Sequence, residues 1–429
     1  MTKITRRKFV RMMGAAGAAS SMLAWPALSL AGKASGRVVI IGGGFGGASC
    51  ASYLRRIAPG IKVTLVERDK QFITCPFSNA VLGGLYDMDF ITQSYDTMRN
   101  AHGINVVHDS ASRIDAATKK VGLAGGEQLE YDHLVVSPGI DLKWGAVEGY
   151  DESASETIPH AWKAGPQTVL LRRQLQEMPD GGVVIIAPPK NPFRCPPGPY
   201  ERASMIAHYL KQAKPKSKVL IYDAKSKFSK QPLFEQGWKD LYPGMIEWIS
   251  ESEGGEIEGV DAKSMTVYPT FGDPQKADVI NLIPPQQAGA IAQASGLANQ
   301  GGWCEVNQRT FESRVYDGIH VIGDAAVANP MPKSGFAASS QGKVCATAIA
   351  AALSGQEMPE PSYVNTCYSL IGPEYGISVA AVYRMEAEGI AAVKGAGGVS
   401  PADVPQSFRR DEARYAVGWY ESITSDIWS

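Results

Sequence analysis

A glycine-rich turn between a strand and a helix constrains the fold of this chain most. Arg37–Ile41 is a short run of β-branched apolar residues, and the glycine-rich segment Gly42–Gly47 follows it directly. A helical stretch, Ala48–Ile57, and a second strand, Lys62–Val66, come next, and Glu67 follows that strand. A strand, G-x-G-x-x-G, a helix, a strand and an acid, within a unit of about thirty residues, are typical of dinucleotide binding.

Each element of this unit has its own role toward a dinucleotide. Gly42 permits the tight turn, Gly44 lets the backbone approach a pyrophosphate, and Gly47 allows close helix packing. The N-terminus of the helix offers free N–H groups and the positive end of its dipole to the phosphates. Glu67 is expected to accept hydrogen bonds from the hydroxyls of the adenosine ribose.

Two later segments favour FAD over NAD as the bound dinucleotide. Tyr131–Gly139 resembles the strand-and-turn segment of flavoproteins that have two dinucleotide-binding domains. Gly318–Ala325 resembles their C-terminal FAD motif, in which an apolar strand ends in Gly-Asp, here Gly323 and Asp324. The resemblance implies that Asp324 holds the ribityl chain. A helix N-cap is a second, compatible role for this residue.

A second apolar run, Val183–Ile186, lacks the glycine-rich turn that would bind a second nucleotide. The loop after it contains Cys195 and six prolines: Pro188, Pro189, Pro192, Pro196, Pro197 and Pro199. We therefore expect no NAD(P)H to bind here, and the thiol indicates sulfur chemistry in the place of a nucleotide.

The expected fold is α/β, with two Rossmann-like dinucleotide-binding domains as in glutathione reductase and a small C-terminal α+β domain. A chain of 429 residues is long enough for this division. The predicted parts are the FAD-binding domain (35–149 and 288–356), the second Rossmann-like domain (150–287) and the C-terminal domain (357–429).

The N-terminus resembles a twin-arginine (Tat) export signal. Thr5–Val10 contains two adjacent arginines, and the uncharged, Gly/Ala-rich stretch Met12–Ala31 follows. Twenty uncharged residues could just span a bilayer, but the many small residues make a poor anchor. We therefore expect residues 1–31 to be a signal, and the mature protein to be periplasmic and to carry a cofactor.

Charge and cysteine spacing exclude several classes of function. The formal net charge of −1 gives no field that would recruit nucleic acid or an anionic membrane. No cysteine lies in a C-x-x-C or C-x-x-C-H spacing, so we predict neither a metal site nor an attached haem on this chain. Cys50 and Cys345 lie in apolar, helical stretches and are expected to be buried, whereas the context of Cys304 indicates no role.

Three further segments identify a family by resemblance. They are Phe72–Asn79, Phe193–Arg202 and Asn365–Leu370, and the last continues into Gly376–Arg384. Together they resemble the flavoprotein subunit of flavocytochrome c sulfide dehydrogenase, a family related to the sulfide:quinone oxidoreductases.

The resemblance implies a role for three of the cysteines. Cys195 and Cys367 match a pair that forms a redox-active disulfide over the flavin, and hydrosulfide attacks one of its two sulfurs. Cys75 matches the cysteine that binds the flavin 8α-methyl group covalently. A structural disulfide between domains remains an alternative for the pair, as does a free thiol beside non-covalent FAD for Cys75. Which sulfur is attacked stays open.

Two more residues have a functional and a structural interpretation. Glu201 lies six residues after Cys195, in the first turn of a helix expected to begin near Pro199. It could accept a proton from hydrosulfide or the persulfide, or it could only stabilise the helix N-terminus. Trp419 resembles an aromatic residue that packs on the flavin in the family, and core packing is its alternative role.

The electrons need an outside acceptor, and the resemblance implies a c-type cytochrome subunit. A sulfide:quinone oxidoreductase is the nearest alternative, but it would need an amphipathic membrane anchor. Residues 385–429 contain glycines, prolines and a charged stretch, so we expect no long amphipathic helix with a basic face there and no membrane association. Two further functions are compatible with this type of fold: a non-catalytic flavin-binding scaffold for a cytochrome, and a pyridine-nucleotide disulfide reductase.

Overall fold

The computed structural model describes residues 34–429, and the predicted signal, residues 1–31, lies outside the described residues. The strands are β1 Gly36–Ile41, β2 Ile61–Val66, β3 Gln71–Ile73, β4 Thr92–Ser94, β5 Asn105–Val107, β6 Ala111–Asp115, β7 Lys120–Leu123, β8 Gln128–Glu130, β9 His133–Val136, β10 Ile140–Leu142, β11 Val183–Ala187, β12 Lys218–Tyr222, β13 Ile246–Ile249, β14 Ile257–Asp261, β15 Thr266–Pro269, β16 Gln275–Lys276, β17 Val279–Leu282, β18 Gln286–Ala288, β19 Ile319–Val321, β20 Ser362–Gly372, β21 Tyr375–Glu386 and β22 Gly389–Val399. The α-helices are α1 Phe45–Ile57, α2 Ser78–Leu82, α3 Asp96–Asn100, α4 Pro166–Glu177, α5 Gly198–Ala213, α6 Gln231–Leu241, α7 Ala290–Ala294, α8 Gly335–Ser354 and α9 Gln406–Trp428.

The first sheet is parallel, with the strand order β19-β9-β1-β2-β5. In its central strand, Val38–Ile41 are apolar and buried because both faces are covered, and Val38 and Ile40 are fully buried. Helices α1 and α8 pack closely on each other, since a Cβ on Gly342 would lie 2.5 Å from the Gly46 carbonyl oxygen. The carboxyl ends of β1, β9 and β19 therefore meet at one edge, where open α/β sheets bind ligands.

The second sheet is also parallel, with the order β13-β12-β11-β17. Its strand β11 is followed by the proline-rich loop and then by α5, as β1 is followed by the glycine turn and α1. Smaller antiparallel sheets, β6-β7-β8 and β14-β15-β16, accompany the first and second sheets along the chain. The two parallel sheets thus have the same local order of strand, connection and helix, with different connections.

The C-terminal region consists of the antiparallel sheet β20-β21-β22 and the 23-residue helix α9. Residues 385–429 do contain a long helix, but its charged residues include acids as well as arginines, so it has no basic face. Gly395–Gly398 lie in β22, and Pro401 and Pro405 lie in the loop before α9. The helix buries Ala416, Tyr420 and Ile427 at helical spacing. Small alanines on this face weakened the apolar signal in the sequence. Its C-terminal end is held by Ser52, whose hydroxyl donates to the Ile427 carbonyl oxygen at 2.9 Å.

Helix α9 packs its apolar face on the protein itself. Within residues 34–429, no helix combines the length and the apolarity that crossing a bilayer requires. The same residues contain no cluster of three or more histidine, cysteine or acidic side chains that could hold a metal ion.

Candidate active site

The glycine turn after β1 leaves no room for side chains. Gly42 has φ +94°, and a Cβ there would lie 2.2 Å from the Ser137 carbonyl oxygen. A Cβ on Gly47 would lie 1.9 Å from the Gly42 carbonyl oxygen. Glycine is therefore required at both positions, because any side chain would separate the turn, helix α1 and the end of β9.

The start of α1 is open toward a ligand. Gly44 is the N-cap in an extended conformation and has no side chain to accept from the first helical N–H groups. Glu67 lies beside this turn, because its Oε2 accepts from Gly43 N at 2.8 Å and its Oε1 accepts from Asp69 N at 3.0 Å. An uncapped helix N-terminus beside a carboxylate matches the expected pyrophosphate and ribose contacts of a dinucleotide.

Asp324 carries the clearest sign of a missing polar partner. It follows Gly323, whose φ is +74° and whose N–H donates to Gln341 Oε1 at 2.8 Å. Asp324 Oδ1 is buried and has no hydrogen-bond partner among the described residues. Burial raises the pKa of Asp324, while Arg194 and Lys333 oppose this rise. Because an unpaired buried acceptor is costly, this atom fits the hydroxyl of a bound ribityl chain.

The Cys195 loop is attached directly to the Asp324 segment. Cys195 N donates to the Lys333 carbonyl oxygen at 2.8 Å, and Lys333 Nζ donates to the Asp324 carbonyl oxygen at 2.7 Å. The Arg194 guanidinium lies 3.9 Å from Asp324 Oδ2. Sequence reasoning missed Arg194 and Lys333, and only the three-dimensional contacts identify them. Arg194 and Lys333 hold the Cys195 loop against the segment that contains Asp324.

Cys195 has a constrained backbone and a crowded side chain. Its φ is +58°, which a non-glycine residue adopts only when the surroundings enforce it. A Cβ on Gly198 would lie 3.0 Å from Cys195 Sγ, so the start of α5 packs directly against the sulfur. Burial raises the pKa of Cys195, and the nearby Cys367, Glu201 and Cys75 raise it further. The structure thus brings these four predicted residues together.

Cys367 lies on β20 and is linked to the same segment from the other side. Asn365 Nδ2 donates to Cys367 Sγ at 3.7 Å, and Ser334 Oγ donates to Asn365 Oδ1 at 2.6 Å. Ser334 directly follows Lys333, which binds the Cys195 backbone. Both cysteine segments are therefore attached to two consecutive residues at the N-terminus of α8.

All six cysteines are free thiols in this structure. The disulfide between Cys195 and Cys367 remains a prediction. Cys50 and Cys345 are fully buried on α1 and α8, as expected, and Cys304 is also buried.

Cys75 lies at the opposite end of a polar chain that starts at Asp324. Its Sγ donates to the Trp162 carbonyl oxygen at 3.3 Å, and the Arg194 guanidinium donates to the same oxygen. Arg194 therefore connects the Asp324 carboxylate with the backbone that holds Cys75. This arrangement fits a ring system extending from Asp324 toward Cys75, and the covalent bond itself remains a prediction.

Glu201 lies in the first turn of α5, as predicted, and both of its oxygens accept hydrogen bonds. Asn79 Nδ2 donates to Oε2 and Leu370 N donates to Oε1, each at 2.8 Å. Burial raises the pKa of Glu201, while these two donors and then Lys230 and Arg202 lower it. A carboxylate with a raised pKa beside two thiols is suited to accept a proton.

Arg202 is a residue that sequence reasoning missed. It is almost fully buried, and burial lowers its pKa to about 10. Its guanidinium donates to Asn79 Oδ1, Asn281 Oδ1 and the carbonyl oxygens of His160 and Ala161. Arg202 thereby connects Asn79, a hydrogen-bond donor to Glu201, with the backbone next to Trp162.

Trp419 lies on α9 between two residues of the candidate site. Its ring centroid is 6.2 Å from those of Phe336, near the start of α8, and Tyr368, next to Cys367. Its Nε1 is buried without a hydrogen-bond partner among the described residues. The position is compatible with both packing on a flavin and core packing.

The second sheet has an acid where the first has Glu67, but in a different environment. Asp223 follows β12 directly and is fully buried. Tyr200 and Trp248 donate to its Oδ2 at 2.6 and 2.9 Å, and Lys225 donates to its Oδ1 at 2.6 Å. Lys225 also donates to the carbonyl oxygen of Pro189 in the proline loop. Asp223 therefore binds the protein's own side chains, where a nucleotide ribose would require a free acid.

Comparison with known proteins identifies the family. The profile described as the central region of the sulfide dehydrogenase (flavocytochrome c) flavoprotein chain matches residues 168–284. The profile for the flavin-binding region of flavocytochrome c sulphide dehydrogenase matches residues 359–428. The flavoprotein chain of Chlorobaculum thiosulfatiphilum sulfide dehydrogenase is 69% identical over 45 residues, which are 10% of this chain and 94% of that sequence. The chain belongs to the flavocytochrome c sulfide dehydrogenase flavoprotein family.

Members of the related sulfide:quinone oxidoreductases are more distant along most of the chain. The mitochondrial enzyme of Dictyostelium discoideum is 24% identical over 330 residues, covering 72% of this chain and 69% of that protein. The sulfide-quinone reductase of Aquifex aeolicus is 25% identical over 326 residues, covering 69% and 70%. A pyridine nucleotide-disulphide oxidoreductase profile matches residues 36–164. Together these matches make the chain an FAD-binding flavoprotein related to that group.

Solved structures confirm the predicted fold class. The sulfide:quinone oxidoreductase of Aquifex aeolicus superposes with a TM-score of 0.72 at 19% identity, covering 91% of this chain and 92% of that one. Putidaredoxin reductase in its covalent complex with putidaredoxin gives 0.65 at 18% identity, covering 92% and 94%. At such identity the likeness concerns the fold alone.

Proposed function

We propose that this protein is a periplasmic, FAD-dependent sulfide dehydrogenase that oxidises hydrosulfide and passes the electrons to a c-type cytochrome subunit. The observation that carries the proposal is the attachment of both cysteine segments to Lys333 and Ser334, and Lys333 Nζ in turn donates to the carbonyl oxygen of the FAD-motif residue Asp324. Family membership supports the substrate class.

The proposed chemistry begins at a disulfide between Cys195 and Cys367. Hydrosulfide attacks one sulfur, so that a new sulfur–sulfur bond forms and the other cysteine leaves as a thiolate. Glu201, which is within electrostatic reach of both thiols, accepts the proton of the incoming sulfur. FAD, when bound, supplies a two-electron acceptor that can release electrons one at a time.

Several residues would hold FAD. The glycine turn and the uncapped N-terminus of α1 would take the pyrophosphate, Glu67 the adenosine ribose and Asp324 the ribityl chain. We further propose that Cys75 forms the covalent thioether to the flavin. Flavin released into the supernatant after acid denaturation would contradict that bond, whereas flavin retained in the precipitated protein supports it.

The proline loop supports sulfide, and not a pyridine nucleotide, as the source of electrons. Asp223 is occupied by Tyr200, Trp248 and Lys225, so a nucleotide ribose would have to break three hydrogen bonds to reach it. Addition of NADH should therefore leave the visible flavin spectrum unchanged, whereas sulfide should bleach it.

The acceptor can be tested directly. We expect sulfide to reduce a c-type cytochrome much faster than a soluble quinone in the presence of this protein. C195S and C367S should abolish sulfide-driven bleaching of the flavin, and C345A, at a buried cysteine on α8, should leave it intact. Unchanged bleaching in both serine variants would favour a non-catalytic scaffold.

A quinone acceptor is the second candidate, and the sulfide:quinone relatives favour it. It predicts faster reduction of quinone than of cytochrome and recovery of the mature protein with membranes. For the proposed export route, a fusion of residues 1–35 to a reporter should reach the periplasm only when both Arg6 and Arg7 are present.

A further inference from the structure

A buried cation, Lys230, lies beside Cys367 and has no role in the chemistry proposed above. Lys230 is 7% exposed and precedes helix α6 with φ +60°, in the left-handed region. Its Nζ donates to Ser369 Oγ at 2.8 Å and to the Cys367 carbonyl oxygen at 3.5 Å. An ammonium group this deeply buried is costly unless nearby negative charge compensates it.

The geometry of β20 directs this cation toward the Cys367 sulfur. Side chains two residues apart lie on the same face of a strand, so Asn365, Cys367 and Ser369 form one row. The Asn365 amide donates to the sulfur from one end of the row. Lys230 is hydrogen-bonded to Ser369 at the other end. Cys367 therefore lies in this row between Asn365, which donates to its sulfur, and Ser369, which binds the Lys230 ammonium.

The titratable neighbours of both groups agree with this arrangement. Burial raises the pKa of Cys367, while Lys230, Asn365 and Ser334 lower it. Burial lowers the pKa of Lys230, and the groups that raise it are Cys367, Glu201, Cys195 and Glu412. Burial raises the pKa of Tyr383 on β21, and Cys367 raises it further.

Fewer neighbouring groups stabilise a negative charge on Cys195 than on Cys367. Burial raises its pKa, and Arg194 is the charged neighbour in the described chain that opposes the rise. Its neighbours Glu201, Cys367 and Cys75 all act in the opposite direction. Of the two sulfurs, Cys367 is thus the better thiolate.

We propose that Lys230 is a positioning residue that stabilises the Cys367 thiolate and so makes Cys367 the leaving group of the disulfide. The exchange is balanced: HS⁻ attacks Cys195 Sγ, the bond between Cys195 and Cys367 breaks, Cys195 becomes a persulfide and Cys367 becomes a thiolate. The lower-pKa thiol leaves faster in such an exchange. The claim that Cys367 is the leaving group rests on the proposed function. The claim that Lys230 stabilises the Cys367 thiolate does not.

The first experiment measures the thiolate without sulfide. The reduced holoprotein is alkylated with iodoacetamide across a pH series, and modification of each cysteine is quantified by peptide mass spectrometry. In K230M we expect the alkylation midpoint of Cys367 to shift upward by about one pH unit, a tenfold loss of reactivity at neutral pH. K230R should restore the midpoint, and K227M, which removes an exposed charge from the same loop, should leave it unchanged.

A second variant keeps the test informative if K230M folds poorly. S369A retains the charge but removes the oxygen that holds Lys230 Nζ, so it should shift the Cys367 midpoint in the same direction by a smaller amount. Midpoints equal to that of the unmodified protein in both K230M and S369A would overturn the proposal.

The second experiment identifies the leaving group. The oxidised protein is treated with one equivalent of sulfide, blocked by alkylation and digested, and the extra sulfur is located by mass. We expect it on Cys195, and its presence on Cys367 would overturn the assignment. If neither cysteine gains sulfur while K230M still shifts the Cys367 midpoint, the proposed sulfide oxidation has failed and the role of Lys230 in stabilising the thiolate stands.

Discussion

The two parallel sheets use the same order of elements for opposite purposes. After β1 the chain makes a glycine turn with an uncapped helix, and Glu67 at the end of β2 lies beside that turn. After β11 the chain makes a proline loop that carries Cys195, and Asp223 at the end of β12 is fully buried among its own donors. The difference teaches that this framework fixes where a site lies, and that the residues after the first strand decide which chemistry occupies it.

The largest effect should come from a substitution at Gly42, in the glycine turn that follows β1. In G42V the added side chain would collide with the Ser137 carbonyl oxygen, since a Cβ alone would lie 2.2 Å from it. We expect FAD affinity to fall by about 1,000-fold, equivalent to about 4.1 kcal/mol. The measurement is the flavin-to-protein ratio of the purified protein, with circular dichroism as the check on folding.

The control is the corresponding first residue after β11, which is Pro188. P188A should retain flavin at the normal ratio, because the second connection binds no dinucleotide in this proposal. Loss of flavin in P188A with retention in G42V would contradict the proposal that FAD binds at the connection after β1 and not at the connection after β11.

The next effect concerns Glu67, which follows β2 in the first sheet, and Asp223, which follows β12 in the second sheet. D223N should lower the free energy of unfolding by about 3 kcal/mol, because it leaves the Lys225 ammonium buried without its partner. E67Q should hardly change stability but should weaken FAD binding by about 1–2 kcal/mol. Urea unfolding of both variants and the flavin-to-protein ratio of each purified variant test this. Equal losses of stability would mean that the two acids do not differ in role.

An effect smaller than that of D223N is expected at the thiol site, where Glu201 is predicted to accept a proton. Burial raises its pKa, so the carboxylate that accepts the proton is lost as the pH falls through this raised value. At pH values above the pKa of Glu201, E201Q should lower the rate of sulfide oxidation by about 100-fold. Below that pKa, the difference in rate between E201Q and the unmodified protein should become smaller. The ratio of the two rates at each pH removes the ionisation of sulfide itself, and a constant ratio would assign Glu201 a structural role only.

The sequence predicted best what depends on neighbouring residues. The turn at Gly42 and the helix after it were expected because glycine spacing and apolar runs are local signals, although α1 begins at Phe45 and not at Ala48. The earlier start includes Gly46 and Gly47, where a Cβ would lie 2.8 Å from Ser137 Oγ and 1.9 Å from the Gly42 carbonyl oxygen. The expected start of α5 near Pro199 differs by one residue from the observed start at Gly198.

Contacts between distant parts of the chain were not predictable from the sequence. Lys230 and Ser369 are 139 residues apart, and nothing around Lys230 marks it as different from the other lysines of its loop. Asp223 did carry a local signal, since it follows an apolar strand as Glu67 does. The sequence could not reveal that three side chains already occupy it.

The attachment of both cysteine segments to Lys333 and Ser334 has a consequence for electron transfer. In the proposed mechanism, the bond between Cys195 and Cys367 would open and close between two segments that are hydrogen-bonded to neighbouring residues. The two segments would then keep a common anchor in both redox states. We therefore expect the reorganisation energy of the sulfur pair to be low.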